Sequence, residues 1–86
     1  MKFWKKYTCL KITGFEDFVK INICINDSFL YEIEDNKIAS KINIESIFKI
    51  TESHDIYKAI NIYFITGLSC SYIFPENNDS SFISFL

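Results

Sequence analysis

Apolar and polar residues alternate with a period of two along most of the chain, which is the spacing of half-buried β-strands. The clearest run places Val19, Ile21, Ile23 and Ile25 on one face and Lys20, Asn22, Cys24 and Asn26 on the other. Asn26-Asp27-Ser28 then predicts a turn, because Asn and Asp side chains bond to their own backbone. A second alternating run follows from Phe29 to Glu34, so residues 19–34 predict a β-hairpin.

The length of this loop decides which side chains face the core. A three-residue loop puts every apolar side chain on one face. Its pairs are Ile25 with Phe29, Ile23 with Tyr31, and Ile21 with Ile33. A two-residue loop places Ile against Glu instead. We therefore predict the odd-length loop, with Glu32 and Glu34 on a solvated outer face.

The same test predicts a second hairpin near the C-terminus, with Ile65-Thr66-Gly67 as its loop. Its pairs are Phe64 with Leu68, Ile62 with Cys70, and Ile60 with Tyr72. Gly67 then takes the third loop position, where a positive φ is usual and glycine carries no steric penalty.

The alternation of apolar and polar residues is interrupted between the two hairpins. The alternating residues Ile38, Ile42 and Ile44 are followed by Ile47, Phe48 and Ile50, which are out of step with them. A bulge or tight corner near Glu45-Ser46 explains the slip, and a single helical turn is the alternative. Ser53-His54-Asp55 predicts the next turn.

The two ends complete the predicted architecture. Residues 7–13 predict a strand that ends at Gly14. Residues 80–86 predict a short C-terminal helix capped by Asp79 or Ser80, with an edge strand as the alternative. Residues 1–86 are therefore expected to form a single, mainly β domain. We predict a small antiparallel meander, or a barrel-like curled sheet, of six to seven strands.

Composition indicates the source and the compartment. The chain has sixteen Ile and one Val, and nine Lys and no Arg, a bias typical of genomes with low G+C content and of their phages. Cys9, Cys24 and Cys70 form no close pair, as a reducing cytoplasm permits. No apolar run reaches the roughly 18 residues of a membrane span. We expect a cytoplasmic protein, in the host cytoplasm if a phage encodes it.

Few residues are equipped for catalysis. His54 is the only histidine, and a general base also needs an orienting carboxylate and a nucleophile. A zinc site needs about four Cys or His ligands in close pairs, and two glycines leave no phosphate-binding loop. Cys70 is expected on the core face and Cys24 under a second buried face. The sequence predicts no enzyme activity, no metal and no cofactor.

Charge and aromatic content point to a binding surface. Four Lys precede the first acid, Glu16, whereas the rest of the chain carries five Lys against eleven acids. Aromatic residues make up 17% of the chain, more than a small core buries, so some are expected to form an apolar patch for a partner or a second copy. The residues predicted to bind a partner are Phe3, Trp4, Lys5, Lys6, Glu32, Glu34 and Asp35.

The predicted function is a small, non-enzymatic protein-binding module. An inhibitor encoded by a phage or mobile element, of anti-CRISPR, anti-defence or immunity type, would act by occluding a host protein surface. One alternative is a structural or assembly subunit that forms a homo-oligomer, such as a homodimer. Another is a module that binds nucleic acid or a lipid surface through the basic, aromatic N-terminus. The lack of Arg argues against specific nucleic-acid readout, which depends on bidentate Arg contacts.

Overall fold

A computed structural model describes residues 5–54, 58–75 and 82–83 of the chain. Seven β-strands account for most of them, and a one-turn 3-10 helix, Ile44–Ser46, separates the fourth strand from the fifth. The strands are β1 Lys5–Gly14, β2 Asp17–Ile25, β3 Phe29–Glu34, β4 Lys37–Asn43, β5 Ile47–His54, β6 Lys58–Phe64 and β7 Ser69–Ile73. Every pairing is antiparallel, which confirms the mainly β fold class and the strand number.

The sheet is curled because of its strand order, β4-β3-β2-β1-β7-β6-β5. β4 and β5 lie at opposite edges, yet only Ile44–Ser46 connects them. Three residues cannot span a flat sheet of seven strands, since neighbouring strands are about 4.8 Å apart. The edges therefore approach each other at this corner. The Ile44 N–H donates to the Ser28 carbonyl at 3.0 Å, and the Ile65 N–H donates to the Ser46 carbonyl at 2.9 Å.

The inward face of the curl forms the core. Its buried members are Tyr7, Cys9, Ile21, Ile23, Ile25, Leu30, Ile60, Ile62, Tyr72, Phe74 and Phe82. Aromatic rings close one end, where Tyr7 meets Phe74 and Phe82 edge-on, with centroids 5.9 and 5.7 Å apart. Phe82 and Ile83 have helical backbone, and the rest of the predicted C-terminal helix lies outside the described residues.

The β6–β7 hairpin confirms the predicted register. Ile60 pairs with Tyr72 and Ile62 with Cys70. The loop is closed by the Phe64 N–H, which donates to the Leu68 carbonyl at 2.9 Å. Gly67 has a φ of 92°, a backbone conformation that a side chain would strain. The apolar pattern was sufficient here because the inward positions are Ile, Phe, Cys and Tyr.

The predicted register of β2 and β3 is wrong by one residue. The structure pairs Ile25 with Leu30 and Ile23 with Glu32. A one-residue shift turns every side chain of the strand to the other face. Glu32 therefore points inward and is buried, whereas Tyr31 pairs with Cys24 on the outward face.

Asn26 accounts for the shorter loop. Its side-chain oxygen accepts from the N–H groups of Ser28 and Phe29 at 3.0 and 2.8 Å. Its own N–H donates to the Phe29 carbonyl at 3.0 Å. These bonds leave Asp27 and Ser28 as a two-residue loop, so local turn chemistry prevails over the alternation of apolar residues.

Two irregularities produce the phase slip: a helical turn at Ile44–Ser46, the alternative to a bulge at Glu45-Ser46, and a bulge at Phe48 within β5. The Asn43 side chain accepts from the Glu45 N–H at 2.9 Å, and the Ser46 hydroxyl donates to the Asn43 carbonyl at 2.6 Å. β5 then extends through His54, so Ser53 and His54 belong to a strand rather than to the predicted turn. Residues 55–57 lie outside the described part of the chain.

Candidate functional site

A buried carboxylate lies on the inward face of the sheet. Glu32 of β3 is 2% exposed. Its Oε1 accepts from Lys11 Nζ at 2.7 Å, and its Oε2 accepts from the Tyr72 hydroxyl. The Cys70 thiol donates in turn to the Tyr72 oxygen at 3.3 Å. We call Lys11, Glu32, Cys70 and Tyr72 the Glu32 cluster.

The topology explains how these side chains meet. Lys11 and Tyr72 are direct partners across β1 and β7, so they share a face of the sheet. β3 lies two strands away from β1, and Glu32 reaches the pair across the concave interior of the curl. A buried charge is tolerated only when it is paired and hydrogen-bonded, and both oxygens of Glu32 meet that condition.

Burial changes the acid–base behaviour of the neighbouring groups. Loss of hydration, with a smaller contribution from the Glu32 carboxylate, raises the pKa of Cys9 to about 12. Burial also raises the pKa of Cys70, against the opposing effect of its hydrogen bond with Tyr72. Burial and the adjacent Cys70 and Glu32 raise the pKa of Tyr72. These thiols and this phenol are therefore neutral near pH 7, and neither thiol is the thiolate that nucleophilic chemistry requires.

An open cleft of about 360 Å³ leads to the Glu32 cluster. Its lining includes Lys11, Glu32 and Cys70, together with polar side chains from Ser40 and Ser69. The Lys11 side chain is 30% exposed and Glu32 is 2% exposed, so the cation borders the cleft and the carboxylate lies beneath it. Because both carboxylate oxygens are bonded within the chain, the cluster behaves as part of the core.

A second concavity lies beside the β6–β7 loop, and we call it the outer groove. It measures about 620 Å³ and is lined by Phe48, Lys49, Tyr63, Phe64, Ile65, Gly67 and Leu68. The exposed fractions of its large apolar residues are 73% for Phe48, 38% for Tyr63, 70% for Ile65 and 71% for Leu68. Contiguous exposed apolar residues of this kind mark interaction sites on small domains.

A strand irregularity and a hairpin loop build the outer groove. The register shifts at Phe48, since Ile47 pairs with Phe64 and Lys49 with Tyr63. Such a bulge leaves one residue unpaired and redirects its side chain, and the Phe48 ring is exposed as a result. Ile65 and Leu68 occupy loop positions around Gly67, where polar residues are usual. Among the lining residues, Lys49 alone carries a charge.

Two features of the sequence indicate the outer groove, although the predicted binding site includes neither of them. The phase slip after Ile44 marks the irregular start of β5, and Ile65 is an apolar residue inside a predicted loop. The expectation that surplus aromatic rings reach the surface is confirmed by Phe15, Phe48 and Tyr63. None of these three was among the residues predicted to bind a partner.

The predicted partner-binding residues lie in separate places. Lys5 and Lys6 are exposed at the start of β1, and Glu34 and Asp35 are exposed at the β3–β4 turn. Lys5 pairs with Ile25, which pairs with Leu30 at the start of β3, whereas Glu34 ends that strand. The basic and acidic groups are therefore not brought together. Phe3 and Trp4 lie outside the described residues.

Glu32 corrects the predicted acidic patch. It was expected on a solvated strand face beside Glu34, and it is instead enclosed by the sheet and bonded to Lys11 and Tyr72. The reason is the two-residue loop before β3, which reverses the faces of that strand. The residue that sequence reasoning placed at the surface is thus the centre of the polar core.

The histidine and the cysteines occupy ordinary positions. His54 Nε2 lies 3.3 Å from Glu52 Oε2, and both side chains are exposed. Cys24 is 4% exposed, as expected for a thiol under a second buried face, and burial raises its pKa. Among the described residues, no three or more His, Cys, Asp or Glu side chains are grouped so that they hold a metal ion.

Comparison with known proteins identifies the fold alone. No protein-family model matches the sequence, and no curated protein matches it at a significant level. Among solved structures, the chain is similar to the C-terminal domain of an unknown protein from Leishmania infantum. The TM-score is 0.77 at 14% sequence identity, over 96% of this chain and 79% of that chain. The curled seven-stranded architecture is therefore shared with a protein of very different sequence.

In the described ranges 5–54, 58–75 and 82–83, no helix has both the length and the apolar character needed to cross a bilayer.

Proposed function

We propose that the protein is a protein-binding domain and that the outer groove receives a segment of the bound protein. One observation carries this proposal: Phe48, Ile65 and Leu68 line one concave surface, and each is at least 70% exposed. Covering a large apolar side chain removes it from water and contributes about 1.5–3 kcal/mol. Three such side chains supply anchor sites of the kind that dominate protein interfaces.

The shape and chemistry of the groove favour a protein over a small molecule. Small-molecule sites enclose most of the ligand and place several polar groups around it. The outer groove is open, and its lining has one charged side chain, Lys49. An apolar centre with a charged group at its rim is the anatomy of a protein–protein interface.

The bound protein is expected to be a target that this domain inhibits by covering its surface. That expectation comes from the small size and the composition of the chain, and the groove supplies such an inhibitor with a contact surface. An origin in a phage or mobile element belongs to the same proposal. Binding of nucleic acid or lipid through residues 1–6 is a separate prediction, which does not involve the groove.

Selection from a displayed library of short random peptides tests the groove directly. The wild-type protein is expected to enrich peptides that carry a large apolar side chain and an acidic residue, the complements of Leu68 and Lys49. Replacement Leu68→Ser should weaken the selected peptides by at least about tenfold, because an interface anchor is lost.

The matched control is Ile38→Ser, which removes an apolar side chain that is 62% exposed on β4. This variant should bind the selected peptides as the wild type does. Enriched peptides that bind Leu68→Ser and wild-type protein equally well, or a selection that enriches none, would overturn the proposal.

A further inference from the structure

The β1–β2 turn carries an apolar side chain that complements the outer groove. Phe15 is 92% exposed at the tip of a hairpin in which Gly14 pairs with Asp17. Glu16 occupies the second turn position with a φ of 62°. The tip therefore presents one aromatic ring followed directly by two acidic residues, Glu16 and Asp17.

Charge and polarity match this tip to the groove. The groove offers the apolar side chains of Phe48, Ile65 and Leu68, and Lys49 is its charged lining residue. A ring placed between the apolar side chains would bring the acids that follow it toward the ammonium group. Opposite charges at a rim guide orientation and partner choice.

The position of the tip makes a reciprocal contact possible. β1 and β7 are antiparallel, with Lys11 paired to Tyr72, so the end of β1 and the start of β7 lie at the same end of the sheet. The tip and the groove are therefore on one side of the molecule. A two-fold axis through that side would let each copy offer its tip to the groove of the other, the self-complementary arrangement of most dimers.

We propose that a second copy of this chain occupies the outer groove, inserting Phe15, in a dimer with two identical contacts. The proposal rests on the proposed function, since it takes the groove as a protein-binding surface. A target protein would then displace the second copy from the groove. The proposed arrangement also covers the exposed Phe15 ring and the exposed apolar groove with one contact. In the dimer, Glu16 and Asp17 of each copy lie against Lys49 of the other.

Analytical ultracentrifugation across a range of protein concentrations tests the dimer. The wild type is expected to dimerise, and Phe15→Ser should weaken association by at least about a hundredfold, because two rings per dimer lose their burial. Ile38→Ser, which alters an exposed side chain on β4, should dimerise normally. Melting temperatures of both variants should equal that of the wild type at a concentration at which the wild type is monomeric, since neither residue contributes to the core and dimerisation itself raises the melting temperature.

A charge exchange tests the pairing itself. Lys49→Glu and Glu16→Lys should each weaken self-association by about tenfold, because each places like charges together at two contacts. An equimolar mixture of the two variants should recover wild-type affinity, since both contacts of the mixed dimer then join opposite charges.

Two outcomes would overturn the second-copy assignment. One is a wild-type protein that is monomeric at the highest concentration, and the other is a mixture of charge variants that associates no better than its components. Neither outcome decides the proposed function, because the peptide selection measures whether the groove binds protein at all. Peptides that bind a monomeric wild type through Leu68 would instead assign the groove to a different protein.

Discussion

The inward face and the outer groove each contain an exception to the usual distribution of side chains. The inward face buries a carboxylate among apolar residues, and the outer groove exposes apolar residues to water. The difference lies in how each departure is compensated. Glu32 is bonded to Lys11 and Tyr72 within the chain, whereas Phe48, Ile65 and Leu68 remain at least 70% exposed. The first departure is therefore part of the structure, and the second is the surface that we propose binds a protein.

Thiol chemistry should show the largest difference between the two regions. With a pKa of about 12, Cys9 is ionised in about one molecule in ten thousand at pH 8. An exposed cysteine introduced by Leu68→Cys should react with iodoacetamide at least about a thousandfold faster. Labelling of each site is followed by mass spectrometry under native conditions. Similar rates at the two sites would show that Cys9 is open to solvent.

Removing the cation from the Glu32 cluster should have the largest effect on stability. Lys11→Met leaves a buried carboxylate without its ion-pair partner, and the free energy of unfolding should fall by about 3 kcal/mol. The double variant Lys11→Met, Glu32→Leu should recover most of that loss, because it removes both charges. Urea unfolding measures both variants. A single variant as stable as the wild type would mean that the ion pair contributes nothing.

The phenol of the cluster should have a smaller effect. Tyr72→Phe removes the hydroxyl that donates to Glu32, and a hydrogen bond to a charged group contributes about 1.5–3 kcal/mol. Tyr63→Phe is the matched control from the outer groove, and it should change the free energy of unfolding by less than about 0.5 kcal/mol. Equal losses for the two variants would remove the distinction between the regions.

The smallest change in stability is expected in the groove. Leu68→Ser should alter the free energy of unfolding by no more than about 0.5 kcal/mol, as for most exposed positions. The same variant is expected to lose peptide binding. Leu68 would then contribute to binding but not to the free energy of unfolding. A loss above about 1 kcal/mol in the isolated monomer would indicate that Leu68 packs within the chain.

Two hairpins show how far the fold follows from the sequence. The β6–β7 register was predictable because every inward residue is apolar or a thiol, and Gly67 marks the loop. The β2–β3 register was not, because the rule that polar residues face outward fails at Glu32. The two-residue loop turns Glu32 inward, and a lysine 21 positions earlier and a tyrosine 40 positions later supply the bonds that its burial requires. No local pattern contains these two partners.

The outer groove was only partly predictable. The surplus of aromatic residues indicated an apolar surface, but composition does not locate it. The location depends on the irregular start of β5 and on the loop around Gly67, which bring residues 48 and 68 together. The predicted binding site contained Phe3, Trp4 and the acidic residues because these residues are clustered along the sequence. The residues of the outer groove come together only when the chain folds.

The pairing of β1 with β7 has a consequence for how the chain folds. All other strand pairs join consecutive strands, so β1–β4 and β5–β7 are each built from local contacts. Leu10 and Lys11 pair with Ile73 and Tyr72, which closes a loop across most of the chain, and closing a longer loop costs more entropy. We expect the β1–β4 and β5–β7 units to form early and the β1–β7 pairing to form last, so that closure of this pairing limits the folding rate.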